Sequence, residues 1–120
     1  MIKTRYADIA SYVTKDGSLI RELMHPRAHG NCNQSLAEAV VPVGATTTLH
    51  LHRRSEELYY ITHGTGEMTL GAEVITVAAG DTVCIPPGHP HRIRNTGHEP
   101  LHILCCSSPP YAHDDTDLLA

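Results

Sequence analysis

The stretch LHLHRRSEELYYITHG, residues 49–64, packs four charges, three histidines and two tyrosines into sixteen positions. Residues two apart on a β-strand point to the same side of a sheet. His50 and His52 can therefore converge on one ion if the chain is extended there, whereas a helix would need a spacing of three or four. The preceding TTTL (46–49) is β-prone, which favours the extended reading. After a turn at RRSE (53–56), ELYYIT (57–62) reads as the returning strand. Either Glu56 or Glu57 can face the interior with the histidines, but not both, because strand neighbours point opposite ways. With Glu57 inward, Tyr59 and Ile61 follow it, and Leu58 and Tyr60 pack outward.

The same short-period pattern runs through most of the chain. SLIRELM (18–24), QSLAEAVV (34–41) and TTTLHLH (46–52) precede or enter the opening stretch. GEMTLG (66–71), EVITV (73–77), TVCIP (82–86), HRIRN (91–95) and LHILCC (101–106) follow it. Glycine, proline and asparagine punctuate the gaps, and many short strands at close spacing predict an all-β sandwich or barrel. No helical period persists beyond three turns. The tail DDTDLLA (114–120) reads as solvated, with a short turn capped by Asp114 or Asp115 as the other option.

Composition narrows the function. A chain of 120 residues is predicted to form one domain, 1–120, with the core barrel over about 18–108 and both terminal segments packing outside it. Phe and Trp are absent, so the core must be aliphatic. A net charge of −4 with no Lys/Arg run gives no footprint for nucleic acid. No apolar stretch is long enough to span a membrane, and the N-terminus lacks the plan of a signal peptide. A cytoplasmic, reducing location is expected. Cys32, Cys84, Cys105 and Cys106 fit it, with no C-x-x-C spacing. They read as small buried hydrophobes, and the adjacent Cys105 and Cys106 point to opposite faces of a strand.

Ten histidines make about one H-x-H pair expected by chance, and two occur, His50-x-His52 and His89-x-His91. The second pair lies in IPPGHPHRIRN (85–95). Pro86-Pro87-Gly88 forms a rigid turn, which places His89 in the turn and lets His91 open a strand and face inward with Ile93. Arg92 and Arg94 then face outward. His25, His29, His63, His98 and His113 read as surface residues of loops.

Two ordered motifs emerge. Gly44 is followed after five residues by His50-x-His52, after four by Glu57 and after six by Gly64. Fifteen residues later Gly80 is followed after five by Pro86-x-Gly88, after two by His91 and after three by Asn95. This pair of motifs resembles the two signatures of the cupin superfamily, clearly over residues 34–106. The resemblance implies a double-stranded β-helix, or jelly-roll barrel, of two antiparallel sheets. It also implies that His50, His52, Glu57 and His91 are metal ligands, choosing Glu57 over Glu56 and His91 over His89. Three imidazoles and a carboxylate suit a divalent transition metal: Fe, Mn, Ni, Cu or Zn.

Counting strands by that resemblance turns Ala37, Tyr59, Ile93, Ile103 and Cys105 toward a substrate pocket and leaves His102 on the outer face. This wall is mostly small or apolar, with Arg21 on the least certain strand. It predicts a neutral or mono-anionic small ligand that chelates the metal through oxygen. Glu57 and Tyr59 are the candidate catalytic residues. The expected function is a metal-dependent enzyme, with dioxygenase-type chemistry placed slightly ahead of isomerase, lyase or decarboxylase chemistry. The alternative is a non-catalytic binding module. Small cupins often dimerise, so a homodimer through the strand edge near SLIRELM is expected.

Overall fold

The computed structural model describes residues 1–119. Its strands are β1 (Tyr12–Val13), β2 (Leu19–Met24), β3 (Ser35–Val41), β4 (His50–His52), β5 (Glu56–His63) and β6 (Thr65–Leu70). They continue with β7 (Glu73–Ala78), β8 (Thr82–Ile85), β9 (His91–Asn95), β10 (Leu101–Ser108) and β11 (Thr116–Leu118). One sheet has the order β1-β2-β3-β10-β5-β8 and the other β11-β4-β9-β6-β7, and the strand pairs are antiparallel. This is the two-sheet architecture expected from the sequence.

Alternation drives the packing. On β5 the odd residues Glu57, Tyr59 and Ile61 are buried, while Leu58 and Tyr60 remain 40% and 43% exposed. In the absence of Phe and Trp, the interior is filled by Ile61, Met68, Ile85, Ile93, Leu101 and Ile103. Burying each contributes about 1.5–3 kcal/mol. Space at β6 is so tight that a Cβ on Gly66 would lie 2.8 Å from the Arg94 carbonyl oxygen of the neighbouring strand β9 and 3.0 Å from Leu101 Cδ2 of the facing sheet. Gly66→Ala is therefore expected to destabilise the fold by about 1–3 kcal/mol. Urea unfolding checks this, and an unchanged midpoint would contradict the close approach.

Several sequence expectations are corrected. Of TTTLHLH only His50–His52 is strand; Thr47 instead exchanges bonds with Ile93, donating its N–H to the carbonyl and accepting the Ile93 N–H on Oγ1. The loop after β2 contains a short helix, α1 (Pro26–His29), begun by Pro26 and by the His25 ring, which accepts the Arg27 N–H. The His25 ring also reaches the Tyr111 carbonyl oxygen at 2.7 Å, so this histidine is a structural link between loop and tail. β2 is not an edge, because β1 covers it. Cys32 and Cys84 are exposed, and only Cys105 is buried.

The tail is the largest departure. It does not pack outside the barrel but forms a 3-10 turn (His113–Asp115) and then β11, which pairs with β4. Asp115 is buried and accepts hydrogen bonds from the backbone N–H groups of Arg54 and Ser55 and from Arg54 Nε. The arginines of the opening stretch thus anchor the C-terminal strand.

Candidate metal centre

His50 and His52 come from β4, and His91 opens β9 directly opposite His50. The turn before His91 is tied to the same strand by Gly88 N–H, which donates to the His52 carbonyl oxygen at 2.7 Å. Local geometry therefore brings the two motifs together. The ligand atoms of the three histidines lie within 4.8 Å of one another, and all three side chains are buried. This triad could hold a metal ion.

The ring protons support that fit. His50 Nδ1 lies 2.8 Å from the Thr48 carbonyl oxygen, and His91 Nδ1 lies 2.9 Å from that of His89. Carbonyls only accept, so both Nδ1 atoms carry the proton and both Nε2 atoms keep the lone pair a metal needs. Nε2 of His52, Nε2 of His91 and Oε1 of Glu57 are buried with no hydrogen-bond partner. Leaving three such atoms unpaired in the interior is costly. A cation among them removes that cost.

Glu57 Oε1 lies 3.2 Å from His52 Nε2 and 3.5 Å from His91 Nε2, while Oε2 accepts a hydrogen bond from Ser107 at 3.2 Å. Burial alone would raise the Glu57 pKa, but in the metal-free protein the His52 and His91 rings, when they turn a proton toward it, outweigh burial and hold the group down at about 2. Glu57 is thus an anion at neutral pH. Burial, followed by the neighbouring His91, lowers the His50 pKa. Burial and then the Glu57 carboxylate push the Tyr59 phenol well above its ordinary value, so it remains a donor. The same two causes push the Cys105 thiol up, which makes it a neutral wall residue rather than a reactive thiolate.

The centre opens into a cavity enclosing about 510 Å³ of space, its solvent mouth included. Ala37, Tyr59 and Cys105 line it, but Ile93 and Ile103 do not; they sit in the core at 2% and 1% exposure. Polar side chains join the small and apolar ones in this wall. Tyr12, Asp16, Ser18 and Glu22 enter from the N-terminal hairpin, and Tyr111 and Thr116 from the tail. Asp16 Oδ2 lies 3.8 Å from His50 Nε2, and its Oδ1 accepts bonds from the Ser18 N–H and hydroxyl. Glu22 Oε1 accepts the Tyr12 hydroxyl proton at 2.9 Å. Arg21 points away, with Nη1 3.8 Å from Glu38 Oε1, and no Lys or Arg lines the cavity. The Asp16-Gly17 pair is a hairpin signal that could have disclosed the N-terminal wall. Thr116 carries no comparable signal.

A double-stranded β-helix with a histidine triad facing a deep pocket defines a small barrel of metal-site type. The family model described as "Cupin domain" matches residues 37–107, and the chain belongs to the cupin family. An uncharacterized protein of Methanocaldococcus jannaschii is 58% identical over 119 residues, covering 99% of this chain and 95% of that one. Among solved structures, oxalate decarboxylase from Bacillus subtilis superposes with a TM-score of 0.85 at 23% identity, over 99% of this chain and 32% of its own. This chain therefore spans about a third of that enzyme. The polyketide cyclase RemF from Streptomyces resistomycificus superposes with a TM-score of 0.77 at 21% identity, over 96% and 89%. Likeness at these identities shows the shared fold. Among the described residues no helix is long and apolar enough to cross a membrane.

Proposed function

We propose that this cupin is a metal-dependent enzyme that promotes proton transfer on a small, neutral hydroxycarbonyl compound. The observation that carries the reading is the pairing of the histidine triad with two flanking carboxylates, Glu57 and Asp16, in a cavity without a Lys or Arg. His50, His52, His91 and Glu57 would hold a divalent transition metal, which supplies Lewis-acid polarisation of a substrate carbonyl. Asp16, held by Ser18, is the acceptor for a proton lost from the adjacent carbon. Tyr59, kept protonated, donates a hydrogen bond to the oxygen on which negative charge develops. Three carboxylates in the wall, Asp16, Glu22 and Glu57, disfavour a polyanion and favour a ligand rich in hydroxyl donors. The two similar solved enzymes are named for a decarboxylation and a cyclisation, which supports catalysis on this scaffold.

Dioxygenase-type chemistry is the second reading, favoured by a redox-capable donor set of three imidazoles and one carboxylate. It stands second because Asp16 and Glu22 add to the wall two carboxylates that oxidative cleavage does not require and proton transfer can use. Proton NMR in D2O tests the first reading with dihydroxyacetone as the probe. Metal-loaded protein is expected to exchange the carbon-bound protons, and Asp16→Asn to slow exchange by about 100-fold or more. Oxygen uptake with catechol and no exchange would favour the oxidative reading. Binding of the probes with neither reaction would favour a non-catalytic module.

A further inference from the structure

We infer that Thr116, on the C-terminal strand, is the positioning residue that fixes His52 for metal binding, so that β11 is a working part of the metal centre. The inference rests on the reading that the triad and Glu57 hold a divalent metal.

The three imidazoles are not oriented alike. His50 and His91 each use a carbonyl two residues earlier, so the chain leading into each strand sets the tautomer. His52 has no such carbonyl partner. Its Nδ1 lies 2.9 Å from the hydroxyl of Thr116, 64 residues further along the chain. A hydroxyl has one proton to donate, and Thr116 donates it to the Ala112 carbonyl oxygen at 2.9 Å. Its oxygen is left to accept from His52. Nδ1 therefore carries the ring proton, and the lone pair sits on Nε2, the buried atom without a hydrogen-bond partner. If the Thr116 hydroxyl turned toward His52 instead, the Ala112 carbonyl would keep only the Asp115 N–H at 3.1 Å, and the ring proton would move to Nε2, where it blocks a metal. With Thr116 only 3% exposed, bulk water does not compete for the contact.

β11 is held to this task by other contacts. Thr116 pairs with His52 and Leu118 with His50 in the register of β4. Lys15 Nζ donates to the carbonyl oxygens of Thr116 and His113 at 2.8 and 3.1 Å. Strand docking and metal affinity are thus coupled, and linkage makes the coupling reciprocal: metal binding must tighten the strand.

The test compares zinc affinity, by chelator competition, for the wild type, Thr116→Val and Thr116→Ser. The isosteric valine is expected to weaken binding by about 10–100-fold, and serine to restore most of it. Unfolding midpoints of the metal-free proteins then separate this loss from a general loss of fold. Adding zinc to the wild type is expected to slow amide exchange at residues 116–118. Valine binding as tightly as wild type would overturn the role of Thr116 while leaving the metal reading intact. No zinc binding by the wild type would overturn both. Long-range 1H–15N spectra of zinc-loaded wild type give a check that needs no variant: His52 is expected to keep its proton on Nδ1, and a His52 proton on Nε2 would refute the assignment.

Discussion

His91→Ala is expected to abolish metal retention. His91 is 0% exposed, faces His50 across β4 and β9, and has its Nδ1 proton committed to the His89 carbonyl oxygen. Its Nε2 faces Glu57 Oε1 at 3.5 Å and has no hydrogen-bond partner among the described residues. No neighbouring side chain can replace it, since His89 is exposed in the turn with its own ring directed to the Pro87 carbonyl oxygen. Losing a group that merely supports a ligand costs about 10–100-fold in affinity, and losing the ligand itself should exceed that range. Elemental mass spectrometry on protein purified with and without air measures the outcome, with His89→Ala as the control that keeps its metal. Equal metal in wild type and His91→Ala would sink the ligand assignment.

Asp115→Ala is expected to lower the unfolding free energy by about 3 kcal/mol, since it removes a buried charged acceptor and strands two N–H groups of the Arg53–Ser55 turn. For a chain of this size that is a fall in melting temperature of roughly 10 °C. Burial would raise the Asp115 pKa, but Arg54 and the N–H groups of Ser55 and Arg54 overcome it and hold the group below its ordinary value. The folded pKa thus lies below the unfolded one, so the stabilisation is complete above the usual carboxylate range and is lost as pH falls through it. The gap between wild type and variant should accordingly close below about pH 4. Thermal unfolding across pH measures both effects. A gap that persists in acid would mean that packing, not the carboxylate, holds the tail.

Much of the centre was legible because it depends on local periodicity. A two-residue repeat puts His50 with His52 and Glu57 with Tyr59, and the Pro-Pro-Gly turn delivers His91 at the start of a strand. The choice of Glu57 over Glu56, and of His91 over His89, came from the resemblance to cupins, and the geometry places Glu57 and His91 together. Depth was harder to read. Alternation says which side of a sheet a residue faces but not how far along the barrel it lies, so Ile93 and Ile103 were expected in the pocket and belong to the core.

The strand pattern by itself determined an all-β sandwich or barrel and put His50 and His52 on one face; the two-sheet barrel and the donor set completed by Glu57 and His91 were implied by the resemblance of the two spaced motifs to cupins. Only the tertiary structure decided what surrounds those donors. The polar side chains added to the wall and the support of His52 come largely from β1, the turn at Asp16 and β11, with strands of two and three residues. Segments so short cannot display a period. Their positions are set by hydrogen bonds to partners tens of residues away, such as Arg54 with Asp115 and His52 with Thr116. Such bonds form only once both sheets are assembled.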